Sequence, residues 1–364
     1  MANIHKIRLW WQSIDKLILS STLLLLLIGT FLIMSSSLIH AEKNLLNEQY
    51  LIKKHLYFLP IAFFIILLTS TMTREKIVLL SVIAFFSFIL LSIIPSFFFD
   101  EIKGANRWIS VFGYSLQPSE FLKPTFVIIT ATLLSRFQKK KDFSLSLSFI
   151  LLSLIILVLF LQPDFGMSFL IFLTWFIQVF IFGLSVKLIS LIFIFGIFTS
   201  IFAYNVFPHV KFRVDSFFQA NVGDKYQITK SLEAFSSGGL TGNGIGTAKI
   251  SNYLPDVQSD FILALAAEEL GFFTVMIIIL LYSLIFLRSM VYSVKSSNMF
   301  DFLSLSGLAI ILFLQFLINI LSTLSLIPTK GMTLPFISYG GSSLLSCAFL
   351  VGLILSLSKK GYET

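Results

Sequence analysis

The chain has 364 residues, of which 57% are hydrophobic and only 12% charged, and its formal charge is +8. Soluble domains run nearer about 45–50% apolar and about 25% charged, so a soluble globular protein and a disordered tail are both excluded. The single cysteine, Cys347, excludes a disulfide scaffold and a cysteine zinc cluster, and the four histidines are too scattered to form a spaced metal pair. In chain order, ten segments approach the roughly 20 apolar residues that a membrane-spanning helix needs. They are Leu17–Leu38, Leu56–Thr71, Ile77–Ile94, Ser119–Ser135, Ser144–Leu161, Gly166–Gly183, Val186–Val206, Phe261–Leu287, Phe302–Ile327 and Ser343–Ser358. Runs such as Leu23–Ile28 do not alternate, so the spans are helices and not barrel strands. The first is longer than a signal-peptide core and no A-x-A site follows Met34, so it is read as a retained helix.

Charge sets the orientation. With a cytoplasmic N-terminus, fourteen lysines and arginines fall in inside segments and six in the short outside loops. That asymmetry satisfies the positive-inside rule, and an even span count puts both termini in the cytoplasm. The positive surplus is thus mainly a topology signal, and no nucleic-acid motif accompanies it. The expected fold is an all-α polytopic membrane protein, one transmembrane domain over residues 1–364. A long extracytoplasmic loop, residues 207–259, joins spans seven and eight.

Polar residues gather toward the outer face. Glu120 and Lys123 stand at i and i+3 at the start of span four, where opposite charges can pair. Such a pair can be a self-neutralised aid to insertion or the wall of a polar cavity. Asp164 falls in the break Gln162-Pro-Asp-Phe-Gly166, where a solvated turn is the simpler reading. The long loop holds Gly238, Gly239, Gly242, Gly244 and Gly246. Their spacing is not that of a nucleotide-binding motif, and it suits a loop that folds back over the helices with close backbone approach. Asp260 stands where this loop enters span eight, a position that also suits a helix-capping aspartate. Glu268 and Glu269 follow about two turns inward, as buried partners for a base or as packing residues. The last outer loop, Pro328-Thr-Lys330-Gly331 to Pro335-Phe-Ile-Ser338-Tyr-Gly-Gly-Ser-Ser343, has the composition of a re-entrant backbone. Such backbone is tolerated at membrane depth only when buried or lining a cavity.

At these motifs the chain resembles the SEDS family (shape, elongation, division and sporulation). The matching stretches are Gly104-Ala-Asn106-Arg107-Trp108-Ile109, Leu116-Gln117-Pro-Ser119-Glu120-Phe-Leu-Lys123 and Gln162-Pro-Asp164-Phe-Gly166. Others are Tyr226-Gln227-Ile-Thr-Lys-Ser231, Ser237-Gly238-Gly239-Leu-Thr-Gly242, Tyr253-Leu-Pro255, Asp260-Phe-Ile and Leu334-Pro-Phe-Ile-Ser338-Tyr-Gly-Gly-Ser-Ser343. They run in family order from span three to span ten, and the first two spans match only in hydropathy. Pro328-Thr-Lys330-Gly331 is similar to the division branch more than to the elongation branch. Three departures stand out: Ala267 replaces the first glycine of Gly-Glu-Glu-Leu-Gly, Gln258-Ser259 replaces His-Thr before the aspartate, and a family Asp-Pro is absent around Ala220-Asn221.

The resemblance implies a ten-span peptidoglycan glycosyltransferase that polymerises lipid II at the outer face of the bacterial cytoplasmic membrane. It implies a class B penicillin-binding protein and other divisome membrane proteins as partners, and septal localisation. It leaves open whether a divalent cation is required. On this view Asp260 is the general base that takes the proton of the acceptor hydroxyl. Glu120, Lys123, Arg107, Trp108, Gln117, Ser119, Gln227, Gly238, Gly239, Lys330 and Ser338 are the substrate-binding candidates, with Arg107 and Lys123, and Lys330 as a weaker third, as cations for the departing diphosphate. Two other classes stay open. A lipid II flippase would use Glu120, Lys123 and the break at Asp164 as a substrate path, although no internal repeat is evident. A non-catalytic scaffold would tolerate loss of Asp260. The elongation-type polymerase is the variant reading within the family.

Overall fold

The computed structural model describes residues 2–44, 50–98, 107–111, 113–218, 225–328 and 331–359. A short helix, α1 (Ala2–Ser13), precedes three long ones, α2 (Lys16–Asn44), α3 (Tyr50–Ser70) and α4 (Arg74–Phe98). A hairpin follows, β1 (Ile109–Val111) paired antiparallel with β2 (Tyr114–Leu116), then a 3₁₀ turn over Pro118–Phe121. Next come α5 (Leu122–Lys140), α6 (Ser144–Leu161), α7 (Phe165–Phe182), α8 (Val186–Val206), α9 (Pro208–Phe218) and α10 (Lys225–Ser237). After a turn at Ser251–Tyr253 the chain ends in α11 (Ile262–Lys295), α12 (Met299–Thr323) and α13 (Gly341–Leu357).

Ten of these helices, α2 to α8 and α11 to α13, coincide with the ten apolar segments. Eight are long and apolar enough to cross a membrane by themselves. The other two are explained by their neighbours. α5 is buried continuously from Leu122 to Ala131, so protein and not lipid surrounds its polar residues. α13, at 17 residues, is buried almost throughout and packs along α3. α12 forms the centre, against α5, α7, α11 and α13, and is buried along most of its length. The outward faces of α3, α4, α8 and α11 carry exposed Phe, Leu and Ile, as a lipid-facing rim requires.

Local chemistry sets the breaks. Asp164 caps α7 by accepting from Met167 N at 3.1 Å, and Gly183 (φ 86°) ends it in the left-handed region that glycine tolerates. Asn298 caps α12 through Phe300 N. At the N-terminal end, Asp15 caps α2 and accepts from both Arg288 and Tyr292 of α11 at 2.7 Å, tying the two helices together.

The fold departs from the sequence reading in four places. α1 and the β1–β2 hairpin were not anticipated. The long loop contains α9 and α10. Span eight is not one continuous helix, because Gly271 (φ 78°, ψ 179°) interrupts α11. Asp164 is buried, 6% exposed, and not a solvated turn residue.

Candidate active site

Three stretches of non-helical backbone meet at the starts of α5 and α13 and the end of α12: residues 117–121, 256–261 and 331–340. The 3₁₀ turn with Pro118 at its start delivers Glu120 and Lys123 to one side of the α5 entrance, both buried. Lys123, 1% exposed, donates to Glu120 Oε2 at 2.6 Å and to Gln315 Oε1 at 2.7 Å. Gln315 donates onward to Thr333 O at 3.0 Å, and Thr333 Oγ1 lies 2.7 Å from Ser343 Oγ. Ser346 of α13 donates to Glu120 O at 2.7 Å. The ammonium therefore already holds two acceptors, and these bonds tie α5 to α12 directly and to α13 through Glu120 and Thr333.

A second cation lies nearer the surface. Arg107, whose side chain is 19% exposed, pairs with Asp164 Oδ2 at 3.4 Å and donates to Gln162 O at 3.1 Å and to Pro163 O. Gln117 joins the two networks. Its Nε2 donates to Asp164 Oδ2 at 3.3 Å and to Ser119 Oγ at 3.2 Å, while its backbone N donates to Ser342 Oγ at 2.8 Å. Trp108 is half-buried immediately before β1.

Asp260 lies near the end of the 256–261 stretch. The N-cap position of α11 falls on Phe261, one residue after Asp260. Its backbone N donates to Asp256 O at 3.0 Å and its carbonyl accepts from Asn319 Nδ2 at 3.2 Å. Asn319 also donates to Met332 O at 2.7 Å. Gln315 and Asn319 are i and i+4 on α12, so one helix face holds the Lys123 pair and the Asp260 backbone together. Ser338 adds a further tie, donating to Ser259 O and accepting from Leu334 N at 2.8 Å. Tyr339 N donates to Gln258 O at 2.8 Å. The re-entrant stretch, buried from Leu334 to Ser338, reaches the middle of α2, where Gly29 faces the Phe336 carbonyl and the Ile337 Cα with no room for a Cβ. Tyr282 donates to Pro335 O from α11. Irregular backbone at this depth is thus enclosed by protein, the arrangement its composition predicted.

The glycine-rich stretch does fold back, and its contact is with α11. The peptide groups released at the Gly271 break are taken up by the loop: Asn243 N donates to Glu268 O and Gly244 N to Glu269 O, each at 3.0 Å. In return Phe272 N and Phe273 N donate to Gly239 O and Leu240 O at 3.0 and 3.2 Å. Gly242 (φ 81°) lies so close to Glu269 O that a Cβ would collide with it. Gly238, buried against Ala267 O, and Gly239 therefore belong to this junction and not to the Lys123 cluster. Gln227, half-buried on α10, lies one turn before Ser231, whose hydroxyl donates to Thr323 O at the end of α12. Lys330 and Thr329 lie outside the described residues, as do Gly104 to Asn106 and the Ala220-Asn221 position.

The sequence reading missed Gln315 and Asn319. Their signal was present, since two amides four residues apart inside an apolar helix are costly unless they bond internally. It also missed the Arg107–Asp164 pair, which no spacing announces because 57 positions separate them in the chain. Among the described residues no group of three or more His, Cys, Asp or Glu side chains is arranged to hold a metal ion.

Outside this molecule the same pattern recurs. The model of the family FTSW_RODA_SPOVE, described as cell cycle protein, matches residues 15–363. The probable peptidoglycan glycosyltransferase FtsW of Caulobacter vibrioides is 33% identical over 97% of this chain and 91% of its own. The stage V sporulation protein E of Bacillus subtilis is 32% identical over 95% of this chain and 97% of its own. Among solved structures, the rod shape determining protein RodA of Thermus thermophilus superposes with a TM-score of 0.71 at 23% identity, covering 96% of this chain and 97% of that one. A chain described under "Structural coordination of polymerization and crosslinking by a peptidoglycan synthase complex" gives 0.76 at 23% identity, over 95% and 97% of the two chains. These two carry the fold. The matched length and the relatives' identity carry the family, and the chain belongs to the FtsW/RodA/SpoVE family of cell cycle proteins.

Proposed function

We propose that the protein is a peptidoglycan glycosyltransferase that polymerises lipid II at the outer face of the cytoplasmic membrane, at the division septum, with a class B penicillin-binding protein as partner. The observation that carries this reading is the convergence of Asp260, held through Asn319, with the buried Glu120–Lys123–Gln315 network on one face of α12. The relatives named as FtsW support both the reaction and the division role.

The chemistry asks for two things. The acceptor hydroxyl attacks C1 of the donor sugar, the C1–O bond to the undecaprenyl diphosphate breaks, and the hydroxyl proton passes to a base. Asp260 is that base: a carboxylate on a fixed backbone can accept the proton as the C1–O bond forms. The leaving diphosphate gathers negative charge, and a preorganised cation stabilises it. Of the described candidates Arg107 is the better placed, because its side chain is partly exposed while Lys123 is enclosed. Lys123 then acts from behind, keeping the start of α5 and the re-entrant stretch in register. Orienting two large sugars in near-attack geometry is itself a major part of such a rate enhancement. Gln117 and Ser119 sit in the Arg107–Asp164 network and Ser338 is tied to the backbone beside Asp260, so these three are the residues nearest each group that can position the sugars.

The test is gel-resolved polymerisation of labelled lipid II by the purified protein with its class B partner, with Asp260→Asn alongside. Loss of a positioned base predicts a fall of about 10²–10⁴-fold. Wild-type strand synthesis by the variant would remove Asp260 from the mechanism. No strands from either protein, both folded and with the partner present, would move the weight to transport or scaffolding.

A further inference from the structure

Glu268 has a buried carboxylate that the proposed mechanism does not use, on the first, short segment of α11, 1% exposed. A buried charge is costly unless it is fully hydrogen-bonded, and this one is. Its Oε1 accepts from Lys249 N and Ile250 N, each at 2.8 Å. Its Oε2 accepts from Ser251 N at 2.8 Å and from Ser251 Oγ at 2.5 Å. All four donors come from three consecutive residues. Glu268 stands two helical turns beyond Asp260, and Ser251 stands a similar distance before it. The carboxylate therefore closes a ring of chain, residues 251–268, with Asp260 near its middle.

The rest of the ring is tightly set. Asp256 O accepts from both Ser259 N and Asp260 N at 3.0 Å. Asn319 and Ser338 fix the Asp260 and Ser259 carbonyls from outside. Opening the ring at Glu268 frees the stretch that leads into Asp260 while leaving the helices in place. We infer that Glu268 is a positioning residue for glycosyl transfer, its carboxylate clasping residues 249–251 so that the Asp260 carboxylate is held at the reacting hydroxyl. The inference rests on the reading of Asp260 as the base.

Glu268→Gln tests it. The amide keeps the shape, but only one of its two polar atoms accepts, and whichever way it turns its NH₂ faces a backbone N–H donor. Ser251→Ala is the milder variant, removing one hydroxyl donor and leaving the carboxylate intact. Each is compared with wild type in two ways: lipid II polymerisation kinetics, and hydrogen exchange resolved to residues 249–261 and to α12 and α13. The expected result for Glu268→Gln is faster exchange at 249–261 with α12 and α13 unchanged, kcat down about ten- to a hundredfold, and KM within about twofold. Ser251→Ala should show the same pattern with kcat down about threefold, and it decides the matter if Glu268→Gln does not fold. Wild-type kcat with loosened 249–261 would overturn the inference. So would a loss of kcat with that segment unchanged, or uniformly faster exchange across α12 and α13. Failure of the base reading has its own signature, since Asp260→Asn would then polymerise like wild type.

Discussion

Removing the ammonium of Lys123 should cost far more than removing the whole pair. Lys123→Met keeps the length of the side chain and deletes both bonds it donates, to Glu120 at 2.6 Å and to Gln315 at 2.7 Å. Glu120 is 6% exposed, so its carboxylate is left buried without its counter-charge. Breaking one half of a buried ion pair costs about 3–5 kcal/mol, because the remaining charge is uncompensated. The double variant Glu120→Gln/Lys123→Met removes that charge and leaves only neutral amide groups, at positions 120 and 315, short of partners, which costs about 1–3 kcal/mol. The double variant should therefore be more stable than Lys123→Met alone by about 2 kcal/mol, the sign of a coupled pair. Reversible unfolding in mixed detergent micelles, followed by tryptophan fluorescence, reads the stabilities. Lipid II polymerisation on the same preparations separates folding from substrate use. Equal stability of Lys123→Met and wild type, or losses that simply add, would refute the account of Lys123 as an internal fastener.

Other consequences are as direct. Gly271→Ala should lower the thermal midpoint in detergent, since φ 78° with ψ 179° in a side-chain-bearing residue costs about 1–3 kcal/mol before the collision of its Cβ with Gly242 N and Leu240 O is added; an unchanged midpoint would mean that the break in α11 relaxes freely. Asp142, in the turn between α5 and α6, has its carboxyl lowered from 3.8 to about 2, first by the Ser144 hydroxyl and then by the Ser144 N–H and Arg136. A lowered folded-state value stabilises above the unfolded one and is lost as pH falls. The difference in thermal midpoint between wild type and Asp142→Asn should thus be full at about pH 5 and close as pH drops through about 2; a difference independent of pH would assign the turn's stability to something other than this carboxylate.

Hydropathy reads a span by what it would cost to place it in lipid, and α5 shows where that logic stops. Its mixed composition, with Lys123 near one end and Lys139 and Lys140 at the other, falls short of a free-standing span. It is nonetheless one of the ten helices, because α4, α6, α7 and α12 enclose it. Lys123, one of the residues that make α5 a weak span, is also one that makes the site. The same holds for α12, where Gln315 and Asn319 interrupt an otherwise apolar run and turn out to bind Lys123 and the Asp260 carbonyl. Local spacing revealed Glu120–Lys123, since three residues on one helix suffice. It could not reveal Arg107–Asp164 or Glu268 with Lys249–Ser251, because those bonds depend on how loops return to helices. Gly271 marks the limit most sharply. As a residue within an apolar run it reads as a tolerated glycine, yet its backbone turns away from the helix, and the groups it frees bind the loop of Gly239 to Gly244. The glycines of the long loop and the glycine of the helix are two halves of one junction. That junction sets the short first segment of α11, which carries Glu268 and begins just after Asp260, against the long segment that crosses the bundle.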